Sequence, residues 1–195
     1  MDLILASTSP YRRELLARLG IPFRCLPPEV DEEAFKSSGA SPRQVAERLA
    51  REKALRIAAR EPNATVIGGD QVVALSTAEG ARILGKPGSR EAAAAQLAAL
   101  AGKSHELVTA IAIAHEGRLL GHTDVAVLEM RPLDEAAINR YLDADEPYDC
   151  AGAYKLEARG ITLFSRVASA DHSAITGLPL IALTTMLREL GFGVP

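Results

Sequence analysis

The stretch Leu3-Ile4-Leu5-Ala6-Ser7-Thr8-Ser9-Pro10-Tyr11-Arg12-Arg13-Glu14-Leu15-Leu16 decides the fold. Its first four residues are apolar enough for a buried strand. Ser9 is suited to cap a helix and Pro10 to be its first residue. Leu15, Leu16 and Leu19 give that helix an apolar side, and Gly20 stops it. Arg12 and Arg13 break the local rule. Cations in the first turn oppose the helix dipole and the unpaired N–H groups there. An anion at that end would reverse the sign. A strand, a hydroxyl-rich turn and a helix N-terminus bearing two arginines together describe a phosphate site. The simpler alternative is a solvated arginine pair.

Working outward, strands and helices alternate. Thr65-Val66-Ile67-Gly68-Gly69 reads as a buried strand ending in Asp70, with Gln71–Leu75 continuing it or pairing back. Ser41-Pro42 opens a long helix to about Arg60. Phe23–Leu26 reads as a short strand, and Pro27–Glu33 as an acidic loop. Gly80 marks a turn, and Gly85-Lys86-Pro87 a rigid loop. Ser89–Ala101 reads as a helix. His105–Ala114 and Arg118–Met130 alternate like hairpin strands joined at Glu116-Gly117. Asp134–Leu142 is helical, Tyr148–Arg159 irregular, Ile161–Val167 a strand, and Leu178–Leu190 a closing helix. The expectation is an α/β fold with a mixed sheet.

The chain has 195 residues, enough for one cored domain, and a net charge of −3. That balance argues against a nucleic-acid binder held by a general basic field, though not against a small basic pocket. No apolar run approaches the roughly 18 residues that span a bilayer. No signal-peptide pattern opens the chain. Cys25 and Cys150 fit no metal spacing and read as reduced thiols of a cytoplasmic protein. The scattered histidines match no zinc motif and read as structural or exposed.

Asp70, closing an apolar strand after two glycines, is placed to bind a divalent metal or accept a proton. The same residue could merely cap a turn. On the helix opened by Ser41, Lys53 falls on the stripe of Val45, Leu49 and Ile57. It either snorkels or is held for a partner. Glu32 is a metal ligand, a base or a solvated acid. Lys86 resembles a loop lysine offered to an anion, without a full Walker A pattern. Together these groups form the inventory of an enzyme that handles a polyphosphate with a divalent metal.

The order of these motifs resembles the Maf family. It is carried by Leu5-Ala6-Ser7-Thr8-Ser9-Pro10-Tyr11-Arg12-Arg13-Glu14-Leu15-Leu16, Val30-Asp31-Glu32, Glu52-Lys53-Ala54, Gly69-Asp70-Gln71-Val72-Val73, Gly85-Lys86-Pro87, Tyr148-Asp149-Cys150-Ala151-Gly152-Ala153-Tyr154 and Gly177-Leu178-Pro179. The resemblance covers the whole chain, as a single domain over 1–195. It implies a nucleoside triphosphate pyrophosphatase that cleaves the α–β phosphoanhydride with Mg or Mn. It also implies an elongated mixed sheet flanked by helices, with two lobes around a cleft, similar to inosine triphosphate pyrophosphatases. In its terms Asp70 accepts the proton, and Ser7, Arg12, Arg13, Glu32, Lys53 and Lys86 line the phosphate and metal site. Lys53 and Lys86 are then catalytic with Asp70, and Glu32 and Asp70 hold the metal. A homodimer stays open.

Three positions, Tyr11, Gln71 and Glu157, depart from the branch that prefers dTTP and UTP and resemble the 7-methyl-GTP branch. A methylated guanine is cationic, so Tyr11 could offer it an aromatic face. Glu157 could accept from the guanine donors, and Gln71 could read another polar edge. Local packing, or for Glu157 an ion pair with Lys155 or Arg159, is the alternative. The competing functions are a dTTP/UTP pyrophosphatase and a non-catalytic nucleotide-binding regulator of cell division.

Overall fold

The computed structural model describes residues 1–37 and 39–194. Seven strands form one mixed sheet in the order β2-β1-β3-β5-β6-β7, with β4 paired to β3. The strands are β1 (Leu3–Ala6), β2 (Arg24–Cys25), β3 (Thr65–Thr77), β4 (Gly80–Leu84), β5 (Ser104–His115), β6 (Arg118–Met130) and β7 (Phe164–Ala168). Among the described residues, seven α-helices accompany them: α1 (Pro10–Ala17), α2 (Glu32–Lys36), α3 (Pro42–Ala58), α4 (Arg90–Leu100), α5 (Glu135–Asp145), α6 (His172–Ile175) and α7 (Leu180–Glu189). The chain divides into two compact units. The first is Met1–Gln71, Thr109–Asp124 and Asp171–Pro195, and the second is Val72–Val108 and Val125–Ala170. Strands β3, β5 and β6 contribute to both.

In the first unit β1 runs parallel to both β2 and β3, with Leu3 beside Thr65 and Ala6 beside Gly68. All four β1 residues are buried, as a strand covered on both faces requires. Leu3 and Leu5 point into a core with Leu15 and Leu16 of α1, Ile67, Ile111 and Ile113 of the sheet, and Leu183 and Leu187 of α7. The expected cap is present: the Ser9 side chain accepts from the Arg12 backbone N–H, with Pro10 in the first turn. Helix α3 opens with a capping box between Ser41 and Gln44. Its buried side comprises Val45, Ala46, Leu49, Ala50, Lys53, Ala54 and Ile57.

In the second unit β4 folds back antiparallel on the end of β3, and β7 pairs antiparallel with β6. The β5–β6 connection, which belongs to the first unit, is the two-residue turn Glu116-Gly117, both at positive φ, the geometry that suits a tight hairpin. His105, Tyr154 and Phe164 pack ring against ring, with centroids 5.0 to 5.8 Å apart. His105 Nε2 lies 3.0 Å from the Tyr154 hydroxyl, and burial lowers its pKa to about 4. This histidine is a neutral core residue, in keeping with its structural reading.

The structure corrects three local readings. Pro27–Glu33 is not loop throughout. Asp31 caps α2 by accepting from the Ala34 N–H, so Glu32 starts a helix. Residues 161–163 belong to a 3-10 turn (Arg159–Leu163), and only the second half of the expected strand is extended. Helix α6 was not expected; at four residues it is too short for periodicity to show.

A close approach positions α3. A Cβ added at Gly68 would lie 2.1 Å from the Ala50 carbonyl oxygen and 2.6 Å from the Ala54 nitrogen. Both are backbone atoms, so only a displaced helix could relieve the clash. We expect Gly68→Ala to cost about 3 kcal/mol, at the upper end for overpacking, and to lower the urea midpoint measurably. A midpoint equal to wild type would show that α3 is not seated on β3 in this way.

Candidate active site

The alternation of β3 builds the site from both sides. Gly68 and Asp70 face one way, and Gly69 the other. Without a Cβ, Gly68 lets α3 lie against the strand. Lys53, the neighbour of Ala54, then reaches Asp70: its Nζ lies 2.7 Å from Asp70 Oδ1. The same Nζ lies 2.6 Å from Glu32 Oε1. Lys53 is only 4% exposed and Asp70 3%, so the lysine does not snorkel; it bridges two carboxylates. On the other face, a Cβ at Gly69 would lie 3.5 Å from Arg12 Nε, so the arginine crosses the strand where glycine leaves room.

Arg12 explains the anomaly in the first helical turn. Its Nε donates to the Gly177 carbonyl at 2.9 Å, and its NH1 donates to Ser7 Oγ at 3.5 Å. Burial pulls its pKa down, while Asp70 and Glu32 pull it up. Burial prevails, and the guanidinium is held by a carbonyl and a hydroxyl, with Asp70 and Glu32 acting on it through their charge alone. Ser7, buried, also accepts from the Ser9 N–H at 3.2 Å.

The two carboxylates differ. Loss of solvent raises the Asp70 pKa and outweighs the opposing pull of Lys53 and Arg12. Its Oδ2 is buried and has no hydrogen-bond partner among the described residues. Partial burial also raises Glu32, but Lys53 and Lys36 overcome that and bring it to about 2. Lys36 was missed by the sequence reading. It closes α2 with its Nζ 3.4 Å from Glu32 Oε2 and 3.3 Å from Glu33 Oε1. The signal was present: Asp31 as cap, two acids in the first turn and a lysine four residues after Glu32.

The remaining candidates have partners and surroundings of their own. Gln71 Nε2 donates to Thr109 Oγ1 at 2.8 Å and to the Ala174 and Ile175 carbonyls at 3.0 Å each. Its amide nitrogen is thus committed to the protein, and the carbonyl oxygen is what it retains for a ligand. Tyr11 sits in the first turn of α1, partly buried. Arg13 is exposed and borders a groove with Ala17, Ile21, Phe23 and Cys25. Lys86 and Glu157 are exposed residues of the second unit. The Lys86 loop is held by Gln96, which donates to the Gly85 carbonyl, and by Gly88, which donates to the Tyr148 carbonyl. Lys155 pairs with Asp149, and no ion pair reaches Glu157 among the described residues.

Glu32 and Asp70 are the residues here that could hold a divalent cation. Among the described residues no group of three or more His, Cys, Asp or Glu forms a protein cage. Two carboxylates are present, one with an unpartnered buried oxygen. Magnesium and similar hard ions are commonly held that way, with water and substrate phosphates completing the shell.

The family model for Maf-like proteins matches residues 2–190. The chain belongs to the Maf-like family. Among curated Maf-like relatives, a 7-methyl-GTP pyrophosphatase of Xanthomonas oryzae pv. oryzae (strain MAFF 311018) is 48% identical over 193 residues, covering 99% of this chain and 98% of its own. Those of Bdellovibrio bacteriovorus and Pseudomonas syringae pv. tomato are 45% and 44% identical, each covering 96% or more of both chains. Solved structures share the fold at low identity. The Ham1 protein of Staphylococcus aureus has a TM-score of 0.53 at 16% identity, covering 97% of this chain and 100% of its own. A HAM1 protein from Coxiella burnetii has 0.52 at 15%, covering 97% and 99%. The mixed α/β sheet flanked by helices is thus a fold the Maf-like chain shares with Ham1 proteins.

The charge network predicts an acid limb of stability. The Glu32 pKa is 4.5 ordinarily and about 2 in the fold, so its ionised form stabilises the fold above about pH 4.5. That contribution is lost as pH falls toward 2. We expect the difference in unfolding free energy between wild type and Glu32→Gln to shrink over this window in urea titrations. A difference constant from pH 6 to pH 2.5 would refute the pairing.

Proposed function

We propose that this Maf-like chain is a 7-methyl-GTP pyrophosphatase, hydrolysing the α–β phosphoanhydride to 7-methyl-GMP and diphosphate. The reaction reading is carried by one observation: the buried Asp70 carboxylate, with Oδ1 held by Lys53 and Oδ2 left without a partner. An acid with a raised pKa that is anchored through one oxygen is a suitable general base through the other. The oxygen of an incoming water forms a bond to the α-phosphorus, and its proton passes to Asp70. The bond from the α-phosphorus to the bridging oxygen breaks, and the electron pair leaves with diphosphate. Arg12, Lys53 and Lys36 offset the charge that develops on the phosphoryl oxygens, with Ser7 and Arg13 at the same helix end. Lys86 is assigned to the leaving phosphates.

Glu32 and Asp70 would hold the divalent metal. When bound, it would polarise the phosphoryl oxygens and neutralise the departing diphosphate. The substrate reading rests on the full-length relatives of that name at 43–48% identity. It also rests on Tyr11, Gln71 and Glu157. An acceptor at Gln71, an acidic acceptor at Glu157 and a tyrosine face all suit a cationic, donor-bearing purine. A role in removing modified nucleotides would suit a cytoplasmic enzyme. No helix among the described residues is long and apolar enough to cross a membrane.

The test is release of diphosphate from 7-methyl-GTP, GTP, dTTP and UTP, with magnesium or manganese and with a chelator. We expect preference for 7-methyl-GTP, loss of turnover on chelation, and a fall of about 10²- to 10⁴-fold in kcat for Asp70→Asn with binding retained. Preference for dTTP or UTP would keep the pyrophosphatase reading and overturn only the 7-methyl-GTP assignment. Binding without turnover of any of the four would favour the regulator reading.

A further inference from the structure

The loop 171–181 offers more than connection. Helix α6 has only four residues, far too few to persist without capping at both ends. Helix α7 begins after Pro179, whose side chain cannot cap it. Both deficits meet in Asp171, 6% exposed. Its Oδ1 accepts from the Ser173 N–H at 2.8 Å and from the Ser173 hydroxyl at 2.5 Å. Its Oδ2 accepts from the Ile181 N–H at 2.8 Å. Ser173 Oγ in turn accepts from the Leu180 N–H at 2.8 Å. Two side chains thus close residues 171–181 into a ring by capping α6 locally and α7 from a distance.

The carbonyls at the other end of this ring face the site. Ala174 and Ile175 accept from Gln71, Ala174 also from the Thr109 hydroxyl at 3.0 Å, and Gly177 from Arg12 Nε. Gly177 stands at φ 114°, and a Cβ there would lie 3.4 Å from Arg12 Nε. The arginine is therefore held between Gly69 and Gly177, aimed by one carbonyl. The bonds that complete α6 at its C-terminal end are the same bonds that orient Arg12 and Gln71.

We propose that Asp171 and Ser173 are positioning residues: by closing this ring they hold the carbonyls that aim Arg12 at the phosphate-binding end of the site and Gln71 at the base. The proposal rests on the reading above that Arg12 and Gln71 meet the nucleotide. The bonds of Asp171 and Ser173 shown here are to the backbone and to each other. Their effect reaches the reaction through orientation, where a displacement of about 1 Å can cost up to a hundredfold.

The test combines kinetics with a signal that needs no substrate. In the free wild-type protein, NMR hydrogen exchange of Arg12 Nε–H should be at least about tenfold slower than that of exposed Arg13, because it is bonded and partly buried. Ser173→Ala should accelerate Arg12 Nε–H exchange and raise KM about tenfold for whichever nucleotide the wild type turns over. Ser173→Thr, which keeps the hydroxyl, should restore both. Asp171→Asn, which loses an acceptor, should behave like Ser173→Ala. A purely structural role would lower the melting temperature and leave KM and Arg12 exchange in the folded protein unchanged. That result would overturn the proposal. Should the variants not fold, equal exchange of Arg12 and Arg13 in the wild type would overturn it and slow exchange of Arg12 would support it. Absence of turnover in the wild type would defeat the substrate reading, while the exchange measurement would still decide this one.

Discussion

A carboxylate inside a buried strand is costly to ionise, and the arrangement around Asp70 offsets part of that cost. Lys53 meets one oxygen at 2.7 Å and shares its charge with Glu32 at 2.6 Å. Removing one member of such a pair leaves an uncompensated buried charge, commonly worth about 3–5 kcal/mol. The pair is weak evidence for added stability as such, since an apolar replacement could fold as well. Its value lies in what it prepares: a base lifted in pKa and anchored through one oxygen.

The backbone of the first unit makes that pairing possible. Lysine can lie in the buried stripe of α3 only because the helix sits against Gly68, within reach of Asp70. Arg12, in the first turn of α1, passes between Gly69 and Gly177, and the Gly177 carbonyl accepts from its Nε. The charge inside the apolar stripe is offset by Asp70 and Glu32, and the cation near the helix N-terminus is held by Ser7 and the Gly177 carbonyl.

Much of this was legible in the sequence, for physical reasons. Ser9-Pro10 and Ser41-Pro42 announced α1 and α3 through capping chemistry, which is local. Arg12 and Lys53 stood out because each violated a local rule, and the structure brings both to Asp70 and Glu32. What was hidden depends on distance or brevity. The Gln71 amide looked available, yet its partners lie 38 and more than 100 residues away. Helices α2 and α6, of five and four residues, are too short for a hydrophobic period, and with α2 went Lys36. Lys86 and Glu157 were identified by motif, and the second unit presents both as exposed residues.

The central claim is that Lys53 joins Asp70 and Glu32 into one charge network that leaves Asp70 the weaker acid. Carbon-detected NMR titration of the two side-chain carboxyls, in wild type and in Lys53→Met, tests it most directly. The account predicts Asp70 above its ordinary 3.8 and Glu32 near 2 in the wild type, with both rising when Lys53 is removed. Ordinary values for both carboxyls, unmoved by the loss of Lys53, would contradict it.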